Sequence, residues 1–203
     1  MHDLFGEPVL PGLQSADNFV TQQEEQDLIH AIDELDLAPF KFQGWLGKRL
    51  THSFGSHYDF EKGSLAATEP IPSWLLPICD RATAFAGLAP GTLVQALITR
   101  YDPGAGIGWH RDRPHFNHVV GLSLGQAASM RFRRRVGERF ERVAIPLPPR
   151  GIYHLQGAVR YDWEHSIAEV SATRWSITFR SVSDRGRQLL AANPPGQGQQ
   201  LQL

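Results

Sequence analysis

The stretch Tyr101-Asp-Pro-Gly-Ala-Gly-Ile-Gly-Trp-His110-Arg-Asp112 closes a β-rich run with a glycine-rich loop, then presents a His and an Asp two residues apart. In extended chain, residues i and i+2 point to the same side, so both side chains can reach one ion. A neutral imidazole from a distant strand would complete a 2-His-1-carboxylate facial set, which leaves three positions open on Fe(II) for a co-substrate and O2. His165, in Trp163-Glu-His165-Ser-Ile, is the candidate. Cys79 is the sole cysteine, so no internal disulfide and no Cys-based zinc site can form, and any metal must use His and carboxylate ligands.

An HxD pair is weak evidence in a chain with nine His. The downstream sequence strengthens it. In Arg174-Trp-Ser176-Ile-Thr178-Phe-Arg180, strand alternation puts Arg174, Ser176, Thr178 and Arg180 on one face, with Trp175, Ile177 and Phe179 on the other. Two guanidiniums on the inward face of an apolar strand are costly unless they meet anions. A dicarboxylate is such a partner, and the planar fork suits it bidentately.

The order Tyr-x-Pro-Gly, HxD, a distant His and RxSxTFR resembles the AlkB-like family of Fe(II)- and 2-oxoglutarate-dependent dioxygenases, with specific motifs from Leu93 to Val182 and a looser similarity back to Phe19. The resemblance implies metal binding at His110, Asp112 and His165. It also implies 2-oxoglutarate contacts from Tyr101, from Arg174 at the distal carboxylate and from Arg180 near the iron-chelating end. Thr99 and Ser176 stand where family members often carry Asn, and both remain hydrogen-bonding co-substrate candidates. The implied cofactors are Fe(II), 2-oxoglutarate and O2, and the implied chemistry is oxygen insertion into a C–H bond. On an N-methyl group that produces a hemiaminal, which sheds formaldehyde.

These residues need a scaffold. Thr21 can cap a helix from Gln22 to Leu35, with Glu24 completing a capping box. A second helix is expected from Ser73 until Gly87 and Pro90 stop it, with Pro77 near its first turn. After Pro90, short β-rich runs recur at regular intervals, which argues for a double-stranded β-helix: a jelly-roll, cupin-like core, mainly β in an α+β chain, with the two N-terminal helices packed on one sheet. Residues 40–60 mix aromatics, glycines and basic residues, as expected of short strands joined by turns, and form a lid candidate. The expected domain is 1–191 with its core at about 91–183. The Pro-, Gly- and Gln-rich tail 192–203 buries too little apolar area to offset its ordering entropy and is expected to be disordered.

Length and composition set outer bounds. A chain of 203 residues, 41% hydrophobic, suffices for one substantial core, and a net charge of -1 gives no global electrostatic case for nucleic acid. Met1 to Leu13 lacks a basic region followed by an apolar core, so a soluble, monomeric, cytoplasmic protein is expected, with no membrane partner. Local basic features still point to alkylated DNA or RNA, with a protein or small-molecule substrate, or a non-catalytic nucleic-acid or protein binding module on the same fold, as the alternatives. A flipped base could stack on Trp45, Phe54 or Tyr58, with phosphates held by Lys48, Arg49 and Arg111, and with Arg160 lining the entrance. The run from Arg131 to Arg142 can contact phosphates or form a solvated sheet face balanced by Glu138 and Glu141. Base-repair members commonly carry an acid where this chain has Pro114, which weakens direct repair of a damaged base. His115, His118 and His154 are read as turn or strand residues that pack or hydrogen-bond rather than ligate.

Overall fold

A computed structural model describes residues 10–42, 45–59 and 64–192. Its elements, in chain order, are β1 (Leu13–Ala16), α1 (Gln22–Asp33), β2 (Ala38–Phe42), β3 (Trp45–Phe54), β4 (Ser56–Asp59), β5 (Ser64–Ala67), α2 (Leu76–Phe85), β6 (Gln95–Tyr101), β7 (Ile107–His110), β8 (Phe116–Gly125), β9 (Ala128–Val136), β10 (Arg139–Leu147), β11 (Ile152–Leu155), α3 (Gly157–Tyr161), β12 (Glu164–Ile167), β13 (Arg174–Val182) and α4 (Asp184–Ala192). Antiparallel pairing builds a seven-stranded sheet in the order β1-β11-β8-β13-β6-β3-β2 and a four-stranded sheet in the order β10-β9-β12-β7. Two sheets joined this way form the expected jelly roll.

Both helices sit where the apolar periodicity requires. The Thr21 hydroxyl accepts from the Glu24 amide at 3.1 Å and the Glu24 carboxylate accepts from the Thr21 amide at 2.7 Å, so the capping box forms as read. The helix ends at Asp33, two residues early. In α2, Ser73 does not start the helix: the chain turns through 73–75 and helix begins at Leu76, with Pro77 in the first turn, where its missing N–H costs nothing. Leu28 and Ile32 of α1, and Ile78 and Ala82 of α2, pack on Ile98, Leu122, Leu124, Ile177 and Phe179 from the outer face of the large sheet. A second cluster, including Tyr101, Val119, Met130, Phe132, Tyr153 and Ile167, lies between the sheets.

Within residues 40–60, β2 and β4 are the short strands expected, and β3 departs from the expectation. β3 is ten residues long and pairs with β6 from Leu50 to Phe54, so this region is the edge of the main sheet. The side chains of Trp45 and Tyr58, and the tail beyond Ala192, lie outside the described residues. α4 was not expected. Among the described residues no helix is long and apolar enough to cross a membrane.

Glu25 fixes α1 to the sheet. Its carboxylate, nearly buried, accepts from the Gly125 amide at 2.9 Å and from Arg150 at 2.9 Å. Losing a charged acceptor in such a place costs about 2 kcal/mol. Glu25→Ala is therefore expected to lower the urea midpoint by that equivalent, and Glu25→Gln by less. A variant as stable as wild type would show the tie to be incidental.

His154 is fully buried on the outer side of the large sheet, its Nε2 3.0 Å from His118 Nδ1. Burial, then His118, pushes its pKa down to about 4. The unfolded state takes up this proton first, near pH 6.5, so the folded state loses stability as pH falls from about 6.5 to about 4. His154→Gln should lessen the slope of that part of a pH–stability profile measured by urea denaturation, to which the lowered His110 and His165 also contribute, and an unchanged slope would contradict it.

Candidate active site

The cavity between the sheets, about 510 Å³, lies within the range of small-molecule sites. One wall is the inner face of β13, where Arg174, Ser176, Thr178 and Arg180 line the cavity while Ile177 and Phe179 turn to the helix-covered core, as alternation predicts. Cross-strand register extends this wall. Arg174 stands opposite Tyr101, Ser176 opposite Thr99, and Arg180 opposite Gln95. Tyr153 of β11 enters from the other side of β8 and fits only because Gly121 has no side chain: a Cβ there would lie 2.2 Å from the Tyr153 ring.

The facing wall belongs to the small sheet. His110 ends β7 and is the direct register partner of His165 in β12, with ring centroids 4.3 Å apart. Asp112 follows just beyond the strand. Its Oδ1 accepts from Arg180 Nη2 at 3.0 Å, and its Oδ2 lies 3.7 Å from His165 Nε2. Gly106 lets the loop before β7 approach β12 closely, because a Cβ would lie 2.9 Å from the Ile167 carbonyl.

Electrostatics set the protonation states. Burial, followed by the neighbouring His110, pushes His165 down to about 3, and burial likewise lowers His110. Both imidazoles are therefore neutral near pH 7 and keep a lone pair. The His110 Nδ1 lies 2.9 Å from the Gly108 carbonyl, which can only accept, so Nδ1 carries the proton and Nε2 is the free donor atom. Burial alone would raise the Asp112 carboxyl. The Arg180 guanidinium, with Arg160 behind it, more than reverses this and holds the carboxyl ionised, below the usual range.

Two neutral imidazoles and one ionised carboxylate are a donor set suited to Fe(II). Among the described residues no three such groups are already closed tightly enough to hold an ion. The 3.7 Å between Asp112 and His165 exceeds the roughly 3 Å expected of adjacent ligands about 2.1 Å from one metal, a gap that side-chain rotation can close. Arg174 supplies a second indication. It is 1% exposed, donates only to the Ser123 hydroxyl at 3.2 Å, and leaves Nε and Nη1 buried with no partner among the described residues. A buried guanidinium left uncompensated costs about 3–5 kcal/mol, so this one is built for an anion. The residues fit both groups.

Other candidates are distributed differently. Phe54, read as a stacking platform, is 3% exposed and belongs to the core under the helices. Arg160, read as lining the entrance, is 3% exposed and donates to the carbonyls of Asp112, Arg113 and Phe116 at 3.1, 2.6 and 2.8 Å. It braces the Asp112 loop. Arg111 remains at the cavity rim, exposed, with Nη1 3.3 Å from the Tyr161 carbonyl. Lys48 faces away from the cavity and reaches the Gly104 carbonyl at 3.1 Å and Glu169 at 3.4 Å, whereas Arg49 faces inward and stacks on Phe40. In the basic run, Arg133 pairs with Glu164 at 2.6 Å and Arg134 with Glu141 at 2.8 Å, so part of it is a balanced sheet face, with Glu164 rather than Glu138 as the second acid. Tyr153, Ser123 and Gln95 were missed from sequence. A glycine inside VVGLSLG was the only hint that a bulky side chain approaches there.

A model of the 2OG-Fe(II) oxygenase superfamily matches residues 12–180, and the chain belongs to this family. It is 28% identical over 167 residues to the mouse protein named tRNA (carboxymethyluridine(34)-5-O)-methyltransferase ALKBH8, covering 79% of this chain and 25% of the mouse one. Similarity to the Arabidopsis thaliana protein named Alkylated DNA repair protein ALKBH8 homolog is 27% over 211 residues, covering 85% and 59% respectively. The chain thus spans a quarter to somewhat over half of these relatives' lengths. The solved structure of OsALKBH1 superposes with a TM-score of 0.67 at 17% identity, over 86% of this chain and 99% of that one, and supports the fold.

Arg160 positions the Asp112 loop, and if Asp112 holds metal as expected, loss of Arg160 should weaken that binding. Arg160→Met leaves three carbonyls without their donor and frees the Asp112 loop, and outer partners of this kind are worth about 10- to 100-fold in metal affinity. The expected result is at least a tenfold weaker Fe(II) affinity in anaerobic titration, with faster amide exchange over 112–116. Unchanged affinity would remove the brace from the argument.

Proposed function

We propose that this oxygenase oxidatively removes N-alkyl groups from DNA or RNA, with His110, Asp112 and His165 holding Fe(II) and with Arg174, Tyr101 and Arg180 receiving 2-oxoglutarate. The observation that carries the reading is a buried, ionised Asp112 beside two neutral imidazoles and Arg180, with Arg174 unpartnered in the same cavity. Bound Fe(II) and 2-oxoglutarate, with O2, supply the oxidising power, yielding succinate, CO2 and a hydroxylated carbon. The protein's part is to bind, orient and exclude water. Arg174 sits deep beside Tyr101 and Ser123 and anchors the distal carboxylate, while Arg180 holds Asp112 and faces the chelating end. Thr99 and Ser176 offer hydroxyls between them, and Ile107, Val119 and Met130 keep the reacting face apolar.

Support for a nucleic-acid substrate comes from the names of the relatives and from Arg111 and Arg113 at the cavity rim, next to a small-sheet face where Arg131 and Arg133 stack on Trp109. A protein or small-molecule substrate is the second reading. It is favoured by Pro114 in place of an acid and by the neutralising pairs at Arg133 and Arg134. Release of formaldehyde from a panel of methylated oligonucleotides and peptides decides between them.

With Fe(II), ascorbate and 2-oxoglutarate the protein should form succinate, and His110→Ala or Asp112→Ala should lower it at least 100-fold. Arg174→Ala should raise the half-saturating 2-oxoglutarate concentration by about tenfold or more, the equivalent of one charge-assisted contact, with iron content unchanged. Wild-type turnover in both ligand variants would sink the assignment.

A further inference from the structure

Arg49 is left over when the metal site and the co-substrate cradle have been filled. It lies on β3 one residue before the pairing with β6 begins, and extending that register sets it opposite Tyr101. Arg49, Thr51 and Ser53 alternate into the cavity, on the wall that also carries Phe40. The Arg49 guanidinium lies 3.8 Å from the Phe40 ring centroid, which fixes its plane. No hydrogen bond or ion pair joins it to a described residue. The hairpin that carries it is tied down on the opposite face, where Lys48 reaches Gly104 and Glu169 in the segments before β7 and after β12.

Charge bookkeeping shows what this guanidinium is for. Five arginines line this cavity, Arg49, Arg174 and Arg180 within it and Arg111 and Arg113 at its rim, against one carboxylate, Asp112. The dication and dianion of the proposed cofactors cancel each other, so the inner three arginines and Asp112 alone leave two positive charges for whatever enters last. In a desolvated cavity that excess favours an anionic guest strongly. Burial lowers the Arg49 pKa, Tyr101 and Asp112 raise it and Arg180 lowers it further, so its electrostatic neighbours are the groups of this site. A guanidinium remains charged through such a shift.

We propose that Arg49, held flat by Phe40 at the mouth of the metal site, is a specificity-determining residue that receives an oxyanion of the substrate, either the phosphate of the nucleotide being modified or a carboxylate on its base. The proposal rests on the oxygenase reading above and narrows its substrate to an anionic unit. It also narrows the phosphate contact expected for Lys48 and Arg49 to an inward contact from Arg49 alone.

The test is calorimetric titration, under nitrogen, of protein loaded with Mn(II) and 2-oxoglutarate, using uridine, uridine 5′-monophosphate and 5-carboxyuridine as probes. Wild type should bind at least one of the two anionic probes tenfold or more tightly than uridine, and which one identifies the source of the oxyanion. Arg49→Gln should erase that preference and leave uridine binding as it was, while Arg49→Lys, which keeps the charge, should restore most of it. Equal binding of all three probes to wild type would overturn the proposal, as would an anion preference that survives in Arg49→Gln. A loss in Arg49→Gln that falls mainly on 2-oxoglutarate affinity would reassign the residue to the co-substrate and overturn it too. Absence of 2-oxoglutarate binding to wild type would instead bring down the oxygenase reading and this inference together.

Discussion

A guanidinium withdrawn from water needs negative charge or a set of acceptors to meet it, and this fold buries two, Arg174 and Arg180, on one central strand. The rest of the architecture accommodates that constraint. With Arg, Ser, Thr and Arg turned inward along β13, this strand gives no apolar side chain to the cluster between the sheets. Its apolar side chains, Ile177 and Phe179 among them, go outward, where α1 and α2 cover them. The helices are therefore as much a consequence of the site as a support for it.

The facing wall meets a different demand. Asp112 must sit opposite Arg180 yet beside two imidazoles, and it does so from a loop, where backbone carbonyls would otherwise go unpaired. Arg160 solves this by donating to three of them from a helix of five residues. The Asp112 loop is thus held by one arginine through its backbone and by another through its side chain. Gly106 permits the close approach of the loop to β12 that keeps His110 in register with His165.

Alternation made much of this legible in the sequence. The two faces of β13 could be assigned residue by residue, and the capping box at Thr21 fixed the first helix, because both signals are local. Parity also held in β3, where 49, 51 and 53 share a face that excludes 48 and 54. The expectation of short strands in residues 40–60 gave Phe54 and Arg49 no faces, since nothing local reveals that the strand runs unbroken for ten residues. Arg160 was misplaced for a similar reason. Its closeness in sequence to His165 suggested the entrance, but its partners are 44 to 48 residues away, on a loop that only the tertiary fold brings near. Tyr153 and Gly121 interlock across two strands, and neither alone announces the other.

The Asp112–Arg180 pair does more than neutralise a charge. A carboxylate free in solution can chelate a metal through both oxygens, which would use up one of the positions that a facial triad must leave open. Here Oδ1 is engaged by Arg180 at 3.0 Å, so Oδ2, the oxygen turned toward His165, is the one available to an ion. The same guanidinium keeps the carboxyl ionised in a buried place where it would otherwise take up a proton. Arg180 therefore keeps Asp112 charged and would leave a single oxygen of it to the proposed metal. Lysine could supply the first, but a single ammonium lacks the planar fork that holds Gln95 with one nitrogen and Asp112 with the other.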